Sequence, residues 1–182
     1  MLKVKLYYKE NGNSEAAFQK AGFSKAREGY FLDKALSKKR ESVLAEHKED
    51  SSFYQLIFSG DLTFEDYQHI QDAVKILATE LEAEIDDNQA FMGYLENGEK
   101  ACLYYHWKKW KAYLLKAKHR SMEGQKIEVT KGTDKWQGIL LSYTDKTVND
   151  EFFVTECTIL GTSGEIRVQG EDLHLTPTGD FL

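Results

Sequence analysis

The chain has 182 residues, of which 41% are apolar and 13% aromatic, so it can bury a core as one large domain or two small ones. No apolar run approaches the ~20 residues that a membrane-spanning helix requires. The start of the chain alternates charged with apolar residues and lacks the continuous apolar stretch of a signal peptide. We therefore expect a globular protein in the cytoplasm.

The net charge of −6 is distributed unevenly. Residues 1–120 contain 19 basic and 19 acidic side chains, whereas residues 121–182 contain 5 basic and 11 acidic ones. The segment from Ala101 to Met122 holds six basic residues and no carboxylate. A basic segment thus precedes an acidic one, and the sequence predicts a domain boundary between them near 121–124.

The start of the chain alternates between strand and helix patterns. Residues 2–8 alternate apolar with polar side chains, as in a half-buried strand. Ser14 is a candidate cap for a short helix, and 29–32 are compatible with a second strand. Residues 33–48 are helical in composition. Residues 53–58 are apolar on both faces, which indicates a central strand.

The clearest helix pattern follows Thr63, which forms an imperfect capping box with Asp66. Its apolar residues recur at spacings of three and four: Phe64, Tyr67, Ile70, Val74, Leu77 and Leu81. Asn97-Gly98 lies between two apolar segments and predicts a hairpin. Residues 107–120 predict a further helix. The first 120 residues therefore predict a mixed sheet covered by helices, an α/β domain.

The remaining residues predict a small β-domain. Short apolar segments are separated by turn-forming residues, which is typical of a small barrel or sandwich. The predicted strands are 125–130, 136–143, 152–160, 165–169 and 172–175. The longest predicted break between them is 145–150. The expected fold class is α+β: a mixed α/β domain at 1–120 followed by a small SH3-like or Sm-like β-barrel at 121–182.

Residues 138–149 resemble the first motif of the Sm-like barrels. The motif begins at Gly138, and Asp145 and Asn149 take its acidic and amide positions, with Thr144 as one extra residue. Gln169 precedes a glycine where the second motif of the family has arginine. The resemblance implies that Asp145 and Asn149 lie on the RNA-binding loop of the family. The same strand order also fits other SH3-like barrels, which need no nucleic acid.

A second candidate for nucleic-acid binding is the run Lys108, Lys109, Trp110 and Lys111. Lysines interleaved with aromatic rings can follow a phosphate backbone while the rings stack on bases. A basic amphipathic helix can also lie on an anionic membrane surface. Alternatively, the aromatic residues form the buried stripe of a surface helix, and the lysines complement the acidic segment within the same molecule.

The sequence contains no recognisable catalytic, cofactor-binding or metal-binding pattern. The five histidines lack metal-ligand spacing, and there is no P-loop, dinucleotide motif or nucleophile elbow. Cys102 and Cys157 form no C-x-x-C pair and are interpreted as small buried residues. We expect no cofactor. A site assembled from distant residues, for instance His106 with a carboxylate, is left open.

We therefore expect a non-enzymatic adaptor or assembly protein that binds another protein or a second copy of itself. Trp136, Tyr143 and Phe152 are the aromatic side chains available for that contact, although Trp136 can instead close the barrel core. RNA binding through helix 107–120 and the barrel is the alternative function. An enzyme whose site is not visible in sequence motifs is the second alternative.

Overall fold

The computed structural model describes residues 1–8, 13–27, 29–34, 36–37, 43–48 and 52–179. The chain separates into two compact units, Met1–Trp107 and Lys108–Leu182. This division lies earlier in the chain than the change in charge near Ser121. The basic helix is consequently grouped with the strands that follow it. No helix in the described ranges is long and apolar enough to cross a membrane.

An antiparallel sheet of six strands organises the first unit, in the order β2-β3-β4-β5-β1-β6, beside a separate two-stranded hairpin of β7 and β8. The elements are β1 Leu2–Tyr7, α1 Ser14–Lys20, β2 Phe23–Ala26, β3 Gly29–Leu32, β4 Leu44–Lys48, β5 Phe53–Phe58, α2 Phe64–Glu80, β6 Glu84–Gln89, β7 Phe91–Tyr94 and β8 Lys100–Cys102.

Both helices of this unit cover the same face of the sheet. The ring of Phe18 on α1 meets Tyr54 on β5 at 4.8 Å between centroids, and Tyr67 on α2 meets Phe58 at 6.5 Å. Tyr54 and Phe58 lie four residues apart on one strand, so their side chains point to the same side. The main core of the first unit therefore lies between this side of the sheet and the two helices.

The helix predicted from the apolar stripe is confirmed as α2. Its capping box is complete, because Thr63 accepts a hydrogen bond from the backbone N–H of Asp66 and Asp66 accepts one from that of Thr63. Asp66 also accepts hydrogen bonds from the backbone N–H and the hydroxyl of Ser37. Burial opposes ionisation of this carboxyl, but these hydrogen bonds hold its pKa below the ordinary value. The capped end of α2 is thereby tied to the segment before β4.

The predicted helix over residues 33–48 is wrong. Leu44–Lys48 forms β4, which pairs with β3 on one side and β5 on the other. Asp33, Lys34 and Ser37 are not helical, and 38–42 lie outside the described residues. Pairing on both edges outweighs the helical composition of this segment, since tertiary context overrides weak local propensity.

The hairpin predicted at Asn97-Gly98 is confirmed. Strands β7 and β8 pair antiparallel on either side of the turn. Gly98 adopts φ +81°, which a residue with a side chain rarely adopts, and its N–H donates to the carbonyl of Leu95 at 3.0 Å. The turn chemistry of the sequence therefore determines this element locally.

One five-stranded antiparallel sheet forms most of the second unit, in the order β12-β11-β10-β9-β13. The elements are α3 Trp107–Arg120, which begins at the last residue of the first unit, β9 Lys126–Lys131, β10 Asp134–Val148, β11 Glu151–Gly161, β12 Gly164–Gln169 and β13 His174–Pro177. The α+β class is confirmed. Among the described residues β12 and β13 do not pair with each other, so strand pairing alone does not close the sheet.

The core of this unit lies on one face of its sheet. Its buried members come from all five strands, from the turn after α3 and from the segment before β13. They are Met122, Ile127, Val129, Leu140, Val154, Cys157, Ile159, Val168, Leu173 and Leu175.

The break predicted over 145–150 is wrong in length. Strand β10 continues to Val148, and only Asn149 and Asp150 form the turn, with φ of +53° and +63°. Positive φ at both central residues matches the two-residue turns whose twist suits a hairpin, and asparagine and aspartate adopt it readily. The polar residues at 144–147 therefore belong to a strand.

Candidate functional site

The three aromatic residues predicted to bind a partner pack within the second unit. Trp136, Tyr143 and Phe152 are half-buried and contact the core of the five-stranded sheet. Trp136 lies on β10 opposite Val129 of β9. Packing against the core accounts for the position of all three rings.

The residues predicted to bind nucleic acid differ in exposure and in the elements that carry them. Trp110 is buried, with 8% of its surface exposed, so its ring does not stand ready to stack on a base. Lys109 is exposed and Lys111 half-buried. Asp145 lies within β10 and Asn149 in the turn, so the two do not share a loop.

Helix α3 is docked on the β10–β11 hairpin. The ring of His119 lies 6.0 Å from that of Tyr143 and 5.0 Å from that of Phe152. The Tyr143 hydroxyl donates to the carbonyl oxygen of Lys116 at 3.2 Å. At the other end of the helix, Lys108 lies 3.4 Å from Glu151, an exposed ion pair that contributes little to stability. These contacts agree with the interpretation that the basic helix complements the acidic segment within one molecule.

We expect this docking to depend on the protonation state of His119. Burial lowers the pKa of His119, although its Nδ1 hydrogen bond to the Leu115 carbonyl, 2.7 Å long, acts in the opposite direction. The unfolded chain therefore binds a proton at His119 at higher pH than the folded chain. We predict that the free energy of unfolding of the second unit falls as pH decreases through the ordinary histidine pKa of about 6.5.

The measurement is the midpoint of thermal unfolding between pH 7.5 and 5.5. His119→Phe keeps a ring against Tyr143 and Phe152 but cannot be protonated, so its pH dependence should be weaker than that of the wild type. The other histidines contribute equally to both proteins. Parallel pH profiles would show that His119 is not the responsible group.

A buried carboxylate organises the loop before α3. Asp87 is 3% exposed, and its Oδ2 accepts the backbone N–H groups of Tyr104 at 2.6 Å and Tyr105 at 3.2 Å. In the same loop the Nδ1 of His106 accepts the backbone N–H of Cys102 at 3.2 Å. The carboxylate and the imidazole thus satisfy backbone donors, which is a structural role.

Neither cysteine has the environment of a nucleophile. Burial raises the pKa of the Cys102 thiol, and the charge of Asp87 adds to this. Burial also raises the pKa of Cys157, to about 11. Both thiols are free and buried, as the sequence predicted, and stay protonated near neutral pH. Within the described ranges no group of three potential ligands is arranged to hold a metal ion.

The second face of the six-stranded sheet is an apolar surface with no described helix of its own unit over it. Its register places five apolar side chains together, from β1, β3, β4 and β5. We call this surface the open face; its apolar residues are Tyr7, Phe31, Leu44, Phe53 and Ile57. Tyr7 is 38% and Phe31 40% exposed, and the other three are half-buried. Within the described part of the first unit both α1 and α2 lie on the opposite side.

The open face is partly ordered by its own contacts. The rings of Tyr7 and Phe53 lie 5.1 Å apart, and the Lys5 ammonium lies 5.7 Å from the Phe53 centroid. Lys5 also pairs with Asp86 on the neighbouring strand at 3.5 Å. The aromatic side chains are thus held in position before any partner binds, which lowers the entropic cost of association.

Charges of both signs surround the apolar residues. By register the described side chains on this face include the basic residues Lys3 and Lys5 and the acidic residues Glu46, Glu84 and Asp86. The face therefore combines an apolar centre with mixed charges, as protein interfaces do.

No family model matches this chain, and no curated protein matches it. Two solved structures are similar, both of the biotin protein ligase from Aquifex aeolicus, one in complex with biotin and ATP and one without ligand. Each shares 12% sequence identity and a TM-score of 0.25, with 91% of this chain covered and 68% and 71% of the respective ligase chains. Such a low TM-score carries no argument about fold or activity.

Sequence reasoning missed the open face. Apolar residues at 53–58 fall on both faces of the strand and predict a central strand, so Phe53 and Ile57 do not stand out in the sequence. Two features of the sequence point to this face: the polar residue Gln55 between Phe53 and Ile57, and the lysines of β1. All of these polar side chains lie on the side of the sheet that the described helices of this unit leave uncovered.

Proposed function

We propose that the protein is a cytoplasmic, non-enzymatic binding protein of the adaptor or regulatory kind, which contacts a partner protein through the open face. The observation that carries this proposal is the group of five apolar side chains on a sheet face with no described helix of its own unit above it. Exposed apolar patches of this kind mark interaction sites. Aromatic residues such as tyrosine and phenylalanine are also enriched in protein interfaces.

The charges favour a protein partner over nucleic acid. The described side chains of the open face include three carboxylates and two ammonium groups, so a phosphate backbone would meet as much repulsion as attraction from them. The burial of Trp110 removes support from the nucleic-acid alternative on the basic helix. The contacts of Asp87 and Cys102 give no support to a catalytic alternative. The strand order of the second unit supports its proposed SH3-like or Sm-like character, which is itself common in binding modules.

The experiment exchanges Phe31 and Ile57 for serine. Loss of two apolar side chains from the centre of an interface should weaken partner binding by at least about tenfold, since each is worth roughly 1.5–3 kcal/mol when fully buried. Self-association of the purified chain is measured first by sedimentation, because a second copy is one possible partner. A photo-reactive amino acid is then placed at position 31 and irradiated in cell extract. A bound partner becomes crosslinked to the protein, and the mass of the crosslinked product is measured.

The matched control is Tyr94→Ser, which removes an aromatic side chain that is 58% exposed on β7, in the separate two-stranded hairpin. It should leave both self-association and adduct formation unchanged. If Phe31→Ser/Ile57→Ser folds and keeps every association of the wild type, the open face is not the binding surface.

A further inference from the structure

A free strand edge lies beside the basic helix in the second unit. Strand β9 pairs with β10 only from Asp134 to Ile139, and Leu140 is bonded through its backbone to 124–125. From Leu141 to Val148, β10 pairs with β11 alone, and no other strand of the described residues follows its second edge. Six of these eight residues are exposed. The edge therefore offers unpaired backbone donors and acceptors to an incoming strand.

Helix α3 runs along the same hairpin. Its first turn approaches the hairpin end through Lys108 and Glu151, and its last turns approach the middle of β10 through the bond between Tyr143 and the Lys116 carbonyl. Gly124 and Gln125, which follow the helix, exchange backbone hydrogen bonds with Leu140 directly before the free edge, so the C-terminal end of α3 leads to this edge. The helix carries six basic residues and no acidic one.

We propose that the free edge of β10 binds an extended acidic peptide segment of another protein. The segment adds as a further strand beside 141–148, and its carboxylates lie near the basic side chains of α3. Backbone hydrogen bonds supply the affinity of such strand addition, and the charges select the sequence. A nucleic-acid strand lacks the alternating N–H and C=O groups that this edge requires. This surface is separate from the open face, so either proposal can fail without the other.

The probe is a fluorescent ten-residue peptide of alternating glutamate and threonine, and binding is followed by fluorescence anisotropy with the full chain. Lys118→Glu/Arg120→Glu should weaken binding about tenfold, because two attractive charges become repulsive. The matched control, Arg27→Glu/Lys75→Glu, makes the same charge change at two exposed positions of the first unit. It should bind the probe like the wild type. Equal weakening in both variants would show that only net charge matters and would overturn the proposal.

A second probe separates strand addition from attraction between charges. The same peptide with every backbone nitrogen methylated keeps its carboxylates but has no backbone N–H groups to donate to the strand edge. It should therefore bind at least about tenfold more weakly. The unmodified probe should also slow hydrogen exchange within 141–148 more than elsewhere. Equal binding of the two probes, no binding of either, or tighter competing binding of a twelve-nucleotide oligothymidylate would overturn the proposal.

Discussion

Replacement of Phe18 by alanine is expected to lower the free energy of unfolding of the first unit by about 3–5 kcal/mol, the usual range for a large aromatic side chain lost from a core. The Phe18 side chain is fully buried. Its ring stacks on Tyr30 at 4.0 Å and meets Phe23 and Tyr54 edge-on at 5.4 and 4.8 Å. One ring thus joins α1 to strands β2, β3 and β5. Urea denaturation followed by circular dichroism gives the change.

Phe31→Ala is the matched control for this variant. It removes the same side chain from the same sheet, but from the open face, where Phe31 is 40% exposed. The loss should stay below about 1 kcal/mol, as for most surface substitutions. Similar losses at both positions would mean that the helices do not define the core of the unit.

Elements that depend on neighbouring residues could be predicted from the sequence. The capping box and apolar spacing of α2 and the Asn97-Gly98 turn are complete within short segments, and the structure has both. The two-residue turn at Asn149-Asp150 shows the limit of this reasoning. A polar segment of six residues was interpreted as a loop, although two residues with positive φ are enough to reverse the chain.

Elements that depend on distant partners could not be predicted in the same way. Strand β4 has the charges of a surface helix, and only its pairing with Phe31 on one side and Ile57 on the other shows that it is a strand. The open face has the same origin, since its apolar residues come from four strands that are adjacent only through register. The spacing of residues along one strand does not specify which strands pair with it or in what register. The charge change near Ser121 does not coincide with the division into units, which lies at Trp107/Lys108 and places the basic helix with the acidic strands.

Gly138→Ala is expected to lower the free energy of unfolding of the second unit by about 2–3 kcal/mol, as overpacking of a tight site does. A Cβ atom at Gly138 would lie 2.6 Å from the carbonyl oxygen of Leu160 and 3.2 Å from the amide nitrogen of Gly161. Both atoms belong to the backbone of β11, which cannot rotate away as a side chain can. The strands would have to separate near the register shift that follows Leu140. Urea denaturation again gives the change, and hydrogen exchange in β10 and β11 locates it.

Gly161→Ala is the control, because it adds the same methyl group on the partner strand. The nearest atom there is the Cδ1 of Ile166 at 3.1 Å, the end of a flexible side chain, and the next is the Gln137 carbonyl oxygen at 3.6 Å. The expected loss is below about 1 kcal/mol, since the isoleucine can change its rotamer. A larger loss at Gly161 than at Gly138 would contradict the close approach of the two backbones. The predicted order would give Gly138 a structural reason, because the close backbone of β11 leaves no room for a side chain at this position.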